Sequence, residues 1–129
     1  MAKFIGLEAA LAMHQIQINV FGATHGLRDK SLLDSALAQA QTTYATTSDI
    51  HEAAAEYCIS LAKNHPFLDG NKRIGADCML TFLMLNDIEP TMDAAQLFDW
   101  TMHSAMSELD RPALATLLRQ HTKSRRRSN

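Results

Sequence analysis

One short segment of the chain holds most of the side chains that could do chemistry. Residues 65–73 read His-Pro-Phe-Leu-Asp-Gly-Asn-Lys-Arg, which brings together an imidazole, a carboxylate, a carboxamide and two cations. His65 could accept a proton from a hydroxyl group, and Asp69 could hold a hard cation such as Mg²⁺ beside substrate phosphates. These residue types in one loop predict phosphoryl-transfer chemistry.

The second half of the segment is predicted to open a helix and to bind an anion there. Gly70 permits a positive φ angle and a close approach of the backbone to a ligand. The helix that follows would present free N–H groups and the positive end of its dipole. Lys72 and Arg73 stand near its start, where the dipole favours acidic side chains, so a bound phosphate would explain both cations.

Each residue of the segment also has an ordinary structural explanation when it is taken alone. His65 could end a helix, and Asn71 could cap the next one. The Asp-Gly pair at residues 69–70 is a common turn, and the two cations could lie on a solvated face. The combination of base, carboxylate, anion-binding turn and cations favours a functional site.

The composition is that of one helical domain. With 129 residues, of which 47% are apolar, the chain can form a single core without disulfides. Alanine, leucine and methionine supply most of the apolar content, which favours helices over strands. Cys58 and Cys78 are predicted to be buried thiols in a reducing cytosol. No apolar run or leader pattern indicates a membrane or secreted protein, so a cytoplasmic location is expected.

The hydrophobic pattern predicts an all-α bundle of about six helices. They are expected at residues 7–20, 29–40, 49–64, 73–86, 93–107 and from residue 110 onwards. The fourth is apolar around its circumference, so it is predicted to lie buried in the centre, with the 65–73 loop opening it. Gln41–Ser48 is rich in threonine and is predicted to be an exposed loop or flap, and residues 87–91 a turn.

Charge is distributed unevenly along the chain. The net charge of −2 includes four cations within residues 123–129, which leaves −6 for residues 1–122. The acidic body argues against direct nucleic-acid binding. We therefore predict a single domain over residues 1–122 and a basic, disordered tail over residues 123–129, although such a tail could also contact RNA or an acidic protein.

The 65–73 segment resembles the signature of the Fic/Doc superfamily, HxFx(D/N)(A/G)NKR. The version with lysine is associated with the death-on-curing (Doc) toxins of bacterial toxin–antitoxin systems. Upstream, residues 21–23, 26–29 and 32–38 with Gln41 resemble the N-terminal pattern of the same group. The resemblance covers residues 7–86 and implies the compact all-α Fic/Doc fold.

The resemblance implies a catalytic arrangement that uses Mg²⁺ and ATP as cofactors. His65 would be the general base on a hydroxyl of a protein substrate, and Asp69 would hold Mg²⁺ against the nucleotide phosphates. Phe67 would anchor the loop in the core. Gln41–Ser48 stands where the family has a flap that registers the target segment by main-chain pairing.

The same resemblance assigns the phosphate-binding residues. Asn71 and the backbone N–H groups of the turn at Gly70 would form an anion hole. Lys72 and Arg73 would bind phosphates directly. Lys63 matches a basic position in Doc-like chains and is a weaker candidate for nucleotide binding.

Two departures from the adenylylating Fic signature, HxFx(D/E)GNGRxxR, bear on the reaction. Lys72 replaces the second glycine, and Ala76 stands at the second arginine, which grips the triphosphate in adenylylating enzymes. The resemblance to Doc then implies a reversed nucleotide and transfer of the γ-phosphate to a threonine of elongation factor Tu. Gly70 is closer to the adenylylating form, so adenylylation, or a silent Fic-fold binding module, remains an alternative.

The chain also carries a loose match to the Fic inhibitory helix. Residues 48–52, Ser-Asp-Ile-His-Glu, fit (S/T)xxxE, but a capping box at Asp49 and Glu52 explains them better. Without self-inhibition, the resemblance implies a cognate antitoxin from a separate chain. The other histidines, His14 among them, show no metal-ligand spacing, so no role is predicted for them.

Overall fold

The computed structural model describes residues 2–22, 24 and 26–125. Within these residues six helices form the fold: α1 (Leu7–Phe21), α2 (Lys30–Thr47), α3 (Ile50–Asn64), α4 (Asn71–Leu85), α5 (Ala94–Ala105) and α6 (Arg111–Gln120). Two short strands, β1 (Ile88–Pro90) and β2 (Thr122–Ser124), pair in an antiparallel ladder. The all-α architecture with six helices is confirmed. None of the described helices is long and apolar enough to cross a membrane.

Helix α3 is the centre of the bundle and packs against α2, α4, α5 and α6. Its buried face combines small alanines with larger side chains such as Tyr57 and Leu61, all of them fully buried. Gly75 of α4 lies against this face, where an added Cβ would come 2.8 Å from the carbonyl oxygen of Cys58. The close approach of α3 and α4 therefore depends on a glycine at this position, and it fixes the two ends of the loop between them.

Acidic residues begin the helices where the sequence predicts. The Asp29 carboxylate accepts hydrogen bonds from two N–H groups at the start of α2, and Asp49 does the same for α3. Glu52 is not the capping-box partner of Asp49 that the sequence predicts, because its carboxylate pairs with Arg111 of α6 at 2.8 Å. At the C-terminus of α1, Gly22 adopts the left-handed conformation common at helix ends, with φ 71°.

The predicted loop or flap at Gln41–Ser48 is wrong, because α2 continues through Thr47. The hydroxyls of Thr46 and Thr47 donate to carbonyl oxygens four residues back, at 2.9 and 2.7 Å. Tyr44 packs edge-on against Phe4, with ring centroids 5.8 Å apart. The threonines thus satisfy their hydroxyls inside the helix, and tertiary packing outweighs their low helix propensity.

The predicted turn at residues 87–91 and the tail boundary at residue 122 also need correction. Residues 88–90 form β1, whose partner β2 includes Lys123 and Ser124. Lys123 approaches Glu89 at 3.1 Å, and the N–H of Arg125 donates to the carbonyl oxygen of residue 87. Three-residue strands are too short to show alternation in the sequence. The rest of the predicted tail, residues 126–129, lies outside the described part of the chain.

The prediction that α4 is buried around its circumference is wrong, because exposed side chains occur at both ends of the helix, with Lys72 and Arg73 in the first turn. Ile74, Met79 and Phe82 are fully buried, whereas Met84 and Leu85 in the last turn are 44% and 42% exposed. The loop therefore opens a helix that is firmly held where the chemistry is predicted. This is the arrangement that a site of fixed geometry requires.

Candidate active site

The loop at residues 65–70 joins α3 to α4 and begins with a residue in an uncommon backbone conformation. His65 follows the last residue of α3 and has φ 51° and ψ 54°, in the left-handed region. Pro66 and Phe67 turn inward and are buried, so the prediction that Phe67 anchors the loop is confirmed. The His65 side chain is exposed and borders a cavity.

The segment of residues 26–29, between α1 and α2, holds the loop from outside. Leu27 and Phe67 form an antiparallel bridge, and the N–H of Leu68 donates to the Gly26 carbonyl oxygen at 3.1 Å. The backbone N–H groups of Arg28 and Asp29 both donate to the carbonyl oxygen at position 66, at 2.7 and 2.9 Å. The loop's backbone is thus paired to a distant part of the chain rather than left to solvent.

Asn71, the first residue of α4, binds the backbone of the loop through its side chain. Its side-chain oxygen accepts from the N–H of Phe67, and its amide nitrogen donates to the carbonyl oxygen of Phe67, both at 3.0 Å. The residue is only 8% exposed. Its carboxamide therefore shapes the loop, and only the second hydrogen of its amide group is left to serve the anion hole expected from the sequence.

The N-terminus of α4 has the features of an anion-binding site. Gly70 precedes the helix with φ 79°, and no side chain of the described residues caps the first turn. Among the described residues, the N–H groups of Asn71, Lys72 and Arg73 have no hydrogen-bond acceptor. Lys72 and Arg73 are exposed beside them, and the Arg73 guanidinium lies 4.0 Å from the ring centroid of Phe21. Free donors, a helix dipole and two cations converge here.

Asp69 presents an exposed carboxylate immediately before this helix end. One oxygen accepts from the N–H of Gly70 at 2.8 Å, and the other lies 3.4 Å from the N–H of Thr24. No group of three acidic, histidine or cysteine side chains suited to a metal occurs in the described part of the chain. A Mg²⁺ ion at Asp69 would accordingly need phosphate oxygens and water as its other ligands, and this donor set fits Mg²⁺.

Two residues of α1 contact this region, His14 at the loop and Gln17 at α4, and sequence reasoning assigned neither of them a role. His14 is 4% exposed, stacks on the Phe67 ring at 3.7 Å and places Nε2 2.8 Å from the Asp69 carbonyl oxygen. Because that oxygen can only accept, Nε2 is the donor. Gln17 donates to an Asp77 carboxylate oxygen at 2.5 Å. The sequence signal that could have found them is their helical spacing, because His14 and Gln17 lie on the buried face of α1 together with Ala10.

A cavity of about 520 Å³ lies between the loop, α4 and α5. Its lining includes Gly70 and every catalytic residue predicted from the sequence, namely His65, Asp69, Asn71, Lys72 and Arg73. The opposite wall is apolar and comes from α5, through Leu97, Phe98 and Met102. Ala76 and Asp77 line the α4 side, so no guanidinium stands where adenylylating enzymes carry their second arginine.

Two sequence candidates fall outside this cavity. Lys63 is exposed in the last turn of α3 and does not line the cavity. The segment of residues 48–52 lies at the opposite end of α3 from His65, and its Glu52 is occupied by Arg111. The structure therefore gives no support to an inhibitory role for this segment.

The fold and the cavity define a helical protein whose central hairpin presents a histidine beside an uncapped helix end. The chain belongs to the Fic/Doc family, because the model of the Fic/DOC family matches residues 4–83. It is 29% identical over 120 residues to the protein kinase doc of Escherichia phage P1, covering 92% of this chain and 94% of that protein. It is 34% identical over 96 residues to the toxin Doc of Mycolicibacterium smegmatis, covering 72% of each. The resemblance stated from the sequence is confirmed.

Proposed function

We propose that this chain is a Doc-type toxin kinase, which transfers the γ-phosphate of ATP to a serine or threonine hydroxyl of a translation factor. The target that the resemblance implies is elongation factor Tu, whose modification would arrest growth. Two similarities support the proposal: one relative is named a protein kinase, and another is named a toxin. The family membership supports a transferase in the same way.

One observation supports this proposal more strongly than the rest. His65, Lys72 and the uncapped N-terminus of α4 all border a single cavity of about 520 Å³. Phosphoryl transfer needs little covalent chemistry from the protein and depends on positioning and charge stabilisation. A base, a cation and free backbone donors around one space supply both.

In the proposed reaction His65 takes the proton from the target hydroxyl as its oxygen forms a bond to the γ-phosphorus. The bond between that phosphorus and the β–γ bridging oxygen breaks, and ADP leaves with the electron pair. The N–H groups at the start of α4, with Lys72 and Arg73, stabilise the charge on the phosphate oxygens. When bound by Asp69, Mg²⁺ would neutralise further negative charge on the phosphates.

The two walls of the cavity differ in a way that favours one orientation of the nucleotide. Cationic and N–H donor groups lie at the loop end, whereas Leu97, Phe98 and Met102 form an apolar face on α5. Phe98 is 64% exposed, so its ring is available to stack on a base. We expect the phosphates at the loop and the nucleoside along α5, and a γ-phosphate beside His65 would then be the one transferred.

The test uses purified protein, elongation factor Tu or bacterial extract, and ATP labelled at either the α- or the γ-phosphate. We expect γ-label on one protein band and no α-label, and His65→Ala should fold but transfer nothing. A matched control is Lys30→Met, which removes an exposed cation in the first turn of α2 whose ion-pair partner among the described residues is Asp34. Transfer of α-label would instead establish adenylylation, and no label from either position would favour a silent binding module.

The proposal includes an antitoxin that is encoded as a separate chain. The relative named toxin Doc supports this, and the one internal candidate for self-inhibition, Glu52, is already paired with Arg111. Expression of the chain alone should therefore arrest bacterial growth, while His65→Ala should not. Growth that is arrested equally by both would contradict the catalytic basis of toxicity.

A further inference from the structure

The conformation of His65 is supported by a side chain from outside the loop. Left-handed backbone angles are unfavourable for a non-glycine residue, so the surroundings must impose them. They occur here at the end of α3, where the last carbonyl groups of a helix have no partner within the helix. Something outside α3 has to bind these oxygens.

The Arg28 guanidinium binds them with two of its nitrogens. Its Nε donates to the carbonyl oxygen of His65 at 2.6 Å, and Nη2 donates to that of Asn64 at 3.0 Å. With the backbone bonds to Pro66, the carbonyl oxygens of three consecutive residues accept hydrogen bonds from N–H groups of Arg28 and its neighbour Asp29. A cation at a helix C-terminus is also favoured by the helix dipole.

We propose that Arg28 is a positioning residue of the active site, whose guanidinium holds His65 in its left-handed conformation and so aims the base into the cavity. This inference rests on the proposed function for its catalytic consequence only; the effect on the conformation of His65 stands without it. Arg28 does not line the cavity, so it acts on His65 and not on the nucleotide.

The guanidinium fork predicts a graded series of variants. Arg28→Lys keeps the charge but cannot bridge two carbonyl oxygens in the same plane, and Arg28→Met removes both charge and donors. All variants keep the backbone N–H of residue 28 and its bond to the loop. Arg28 is exposed, so the variants should fold. Lys30→Met is the matched control, because it removes a cation nearby that does not touch the loop.

The kinetic measurement separates a positioned base from general loosening of the loop. We expect Arg28→Met to lower kcat about tenfold to a hundredfold, since a misplacement near 1 Å can cost that much. The kcat of Arg28→Lys should fall between those of Arg28→Met and the wild type. The Kd for Mg·ATP should stay within about twofold of the wild-type value in both variants, because Arg28 does not line the cavity. A kcat no lower than that of Lys30→Met would overturn the inference, as would a Kd that rises in step with the loss of kcat.

A second measurement does not depend on turnover. In protein labelled with ¹³C-histidine, the Cα and ring resonances of His65, identified by their loss in His65→Ala, should shift or broaden in Arg28→Met. They should overlay on the wild type in Lys30→Met. If the wild type transfers no phosphate yet His65 moves as expected, the proposed function fails and the positioning role stands. If His65 does not move, the positioning role fails whatever the activity.

Discussion

At the scale of single residues, the site relies on side chains that hold other groups as much as on those that would react. The side chains of Asn71, Arg28 and His14 all donate hydrogen bonds to backbone carbonyl oxygens of the loop. Each of these bonds is worth about 1 kcal/mol on average, but a buried partner left unpaired costs more. The geometry of His65 and Asp69 is thus the sum of several small, directed contributions.

His14 offers a test of this support at Asp69. His14→Phe keeps a ring that can stack on Phe67 but loses the donor to the Asp69 carbonyl oxygen, which should loosen the carboxylate that would bind Mg²⁺. A loss of roughly 1 kcal/mol corresponds to a rise of about fivefold in the Mg²⁺ concentration needed for half-maximal transfer. Steady-state rates across a Mg²⁺ titration would measure it.

The control for this experiment is His103→Phe, which changes an exposed histidine on α5 that contacts Glu108. His14→Gln, which keeps a donor but not the ring, should restore part of the Mg²⁺ affinity at some loss of stability. An unchanged Mg²⁺ dependence in His14→Phe would show that the bond to Asp69 has no part in binding.

At the scale of elements, the helical hairpin of α3 and α4 is the frame on which the loop is mounted. The two helices touch at Gly75, and α3 in turn packs against three other helices. A frame built on such close contact cannot widen without moving both ends of the loop. The stability of the hairpin and the geometry of the cavity are therefore coupled.

Gly75→Ala tests how tightly the two helices fit. Alanine favours a helix over glycine by up to about 1 kcal/mol, but its Cβ would meet the Cys58 carbonyl oxygen at 2.8 Å. Overpacking of this kind typically costs about 1–3 kcal/mol, so we expect a net fall in the free energy of unfolding. Urea titration followed by circular dichroism would measure it.

The same substitution at Gly6 is the control, since an added Cβ there has nothing within 4 Å. Gly6 is the N-cap of α1, where glycine is preferred to alanine, so Gly6→Ala should cost this capping preference but no packing. If Gly75→Ala proved more stable than the wild type, helix propensity would outweigh packing and the contact between α3 and α4 would be looser than described.

How much of the fold and of the site the sequence predicts depends on how far apart in the chain the interacting residues lie. The catalytic set of residues 65–73 was predicted because its members are neighbours in the chain, and the helices because each repeats its own pattern. Arg28, His14 and the α5 wall were missed, since their contacts span dozens of residues and leave no local signal. The helical residues 41–47 were missed because their threonine hydroxyls donate to carbonyl oxygens within the helix, so a threonine-rich composition here does not indicate a loop.

At the scale of the whole molecule, the core contains ionisable groups that the fold keeps neutral. Burial raises the pKa of the Cys58 and Cys78 thiols to about 12, and that of the Tyr57 hydroxyl to about 12. Both cysteines are free and buried, as predicted from the sequence. Neutral thiols are poor nucleophiles, so neither cysteine should react with thiol reagents while the protein is folded.

These groups predict a loss of stability in alkaline solution. The unfolded thiols begin to ionise near their ordinary pKa of 9.0, whereas the folded ones hold their protons to about 12. Stability is therefore fully present below pH 9 and falls as the pH rises towards 12, by up to about 1.4 kcal/mol per pH unit for each group. Urea titrations at pH 7, 9 and 10.5 would measure the fall.

A double variant isolates the contribution of the thiols. Cys58→Ala with Cys78→Ala should be less stable at pH 7 because of the cavities, but its stability should fall less steeply from pH 9 to pH 10.5. Equal slopes in the two proteins would mean that the thiols ionise alike in the folded and unfolded chains.

The bonds that hold the loop also govern when the site can come into being. Arg28 and His65 are 37 positions apart, and His14 and Asp69 are 55 apart. Contacts between distant positions are made late in folding, because the chain must first give up the entropy of closing the intervening loop. A chain with α3 and α4 already formed would carry every reactive side chain and still have no assembled centre until α1 and the 26–29 segment dock. Activity should therefore be the last property to return on refolding, after helix content and core burial.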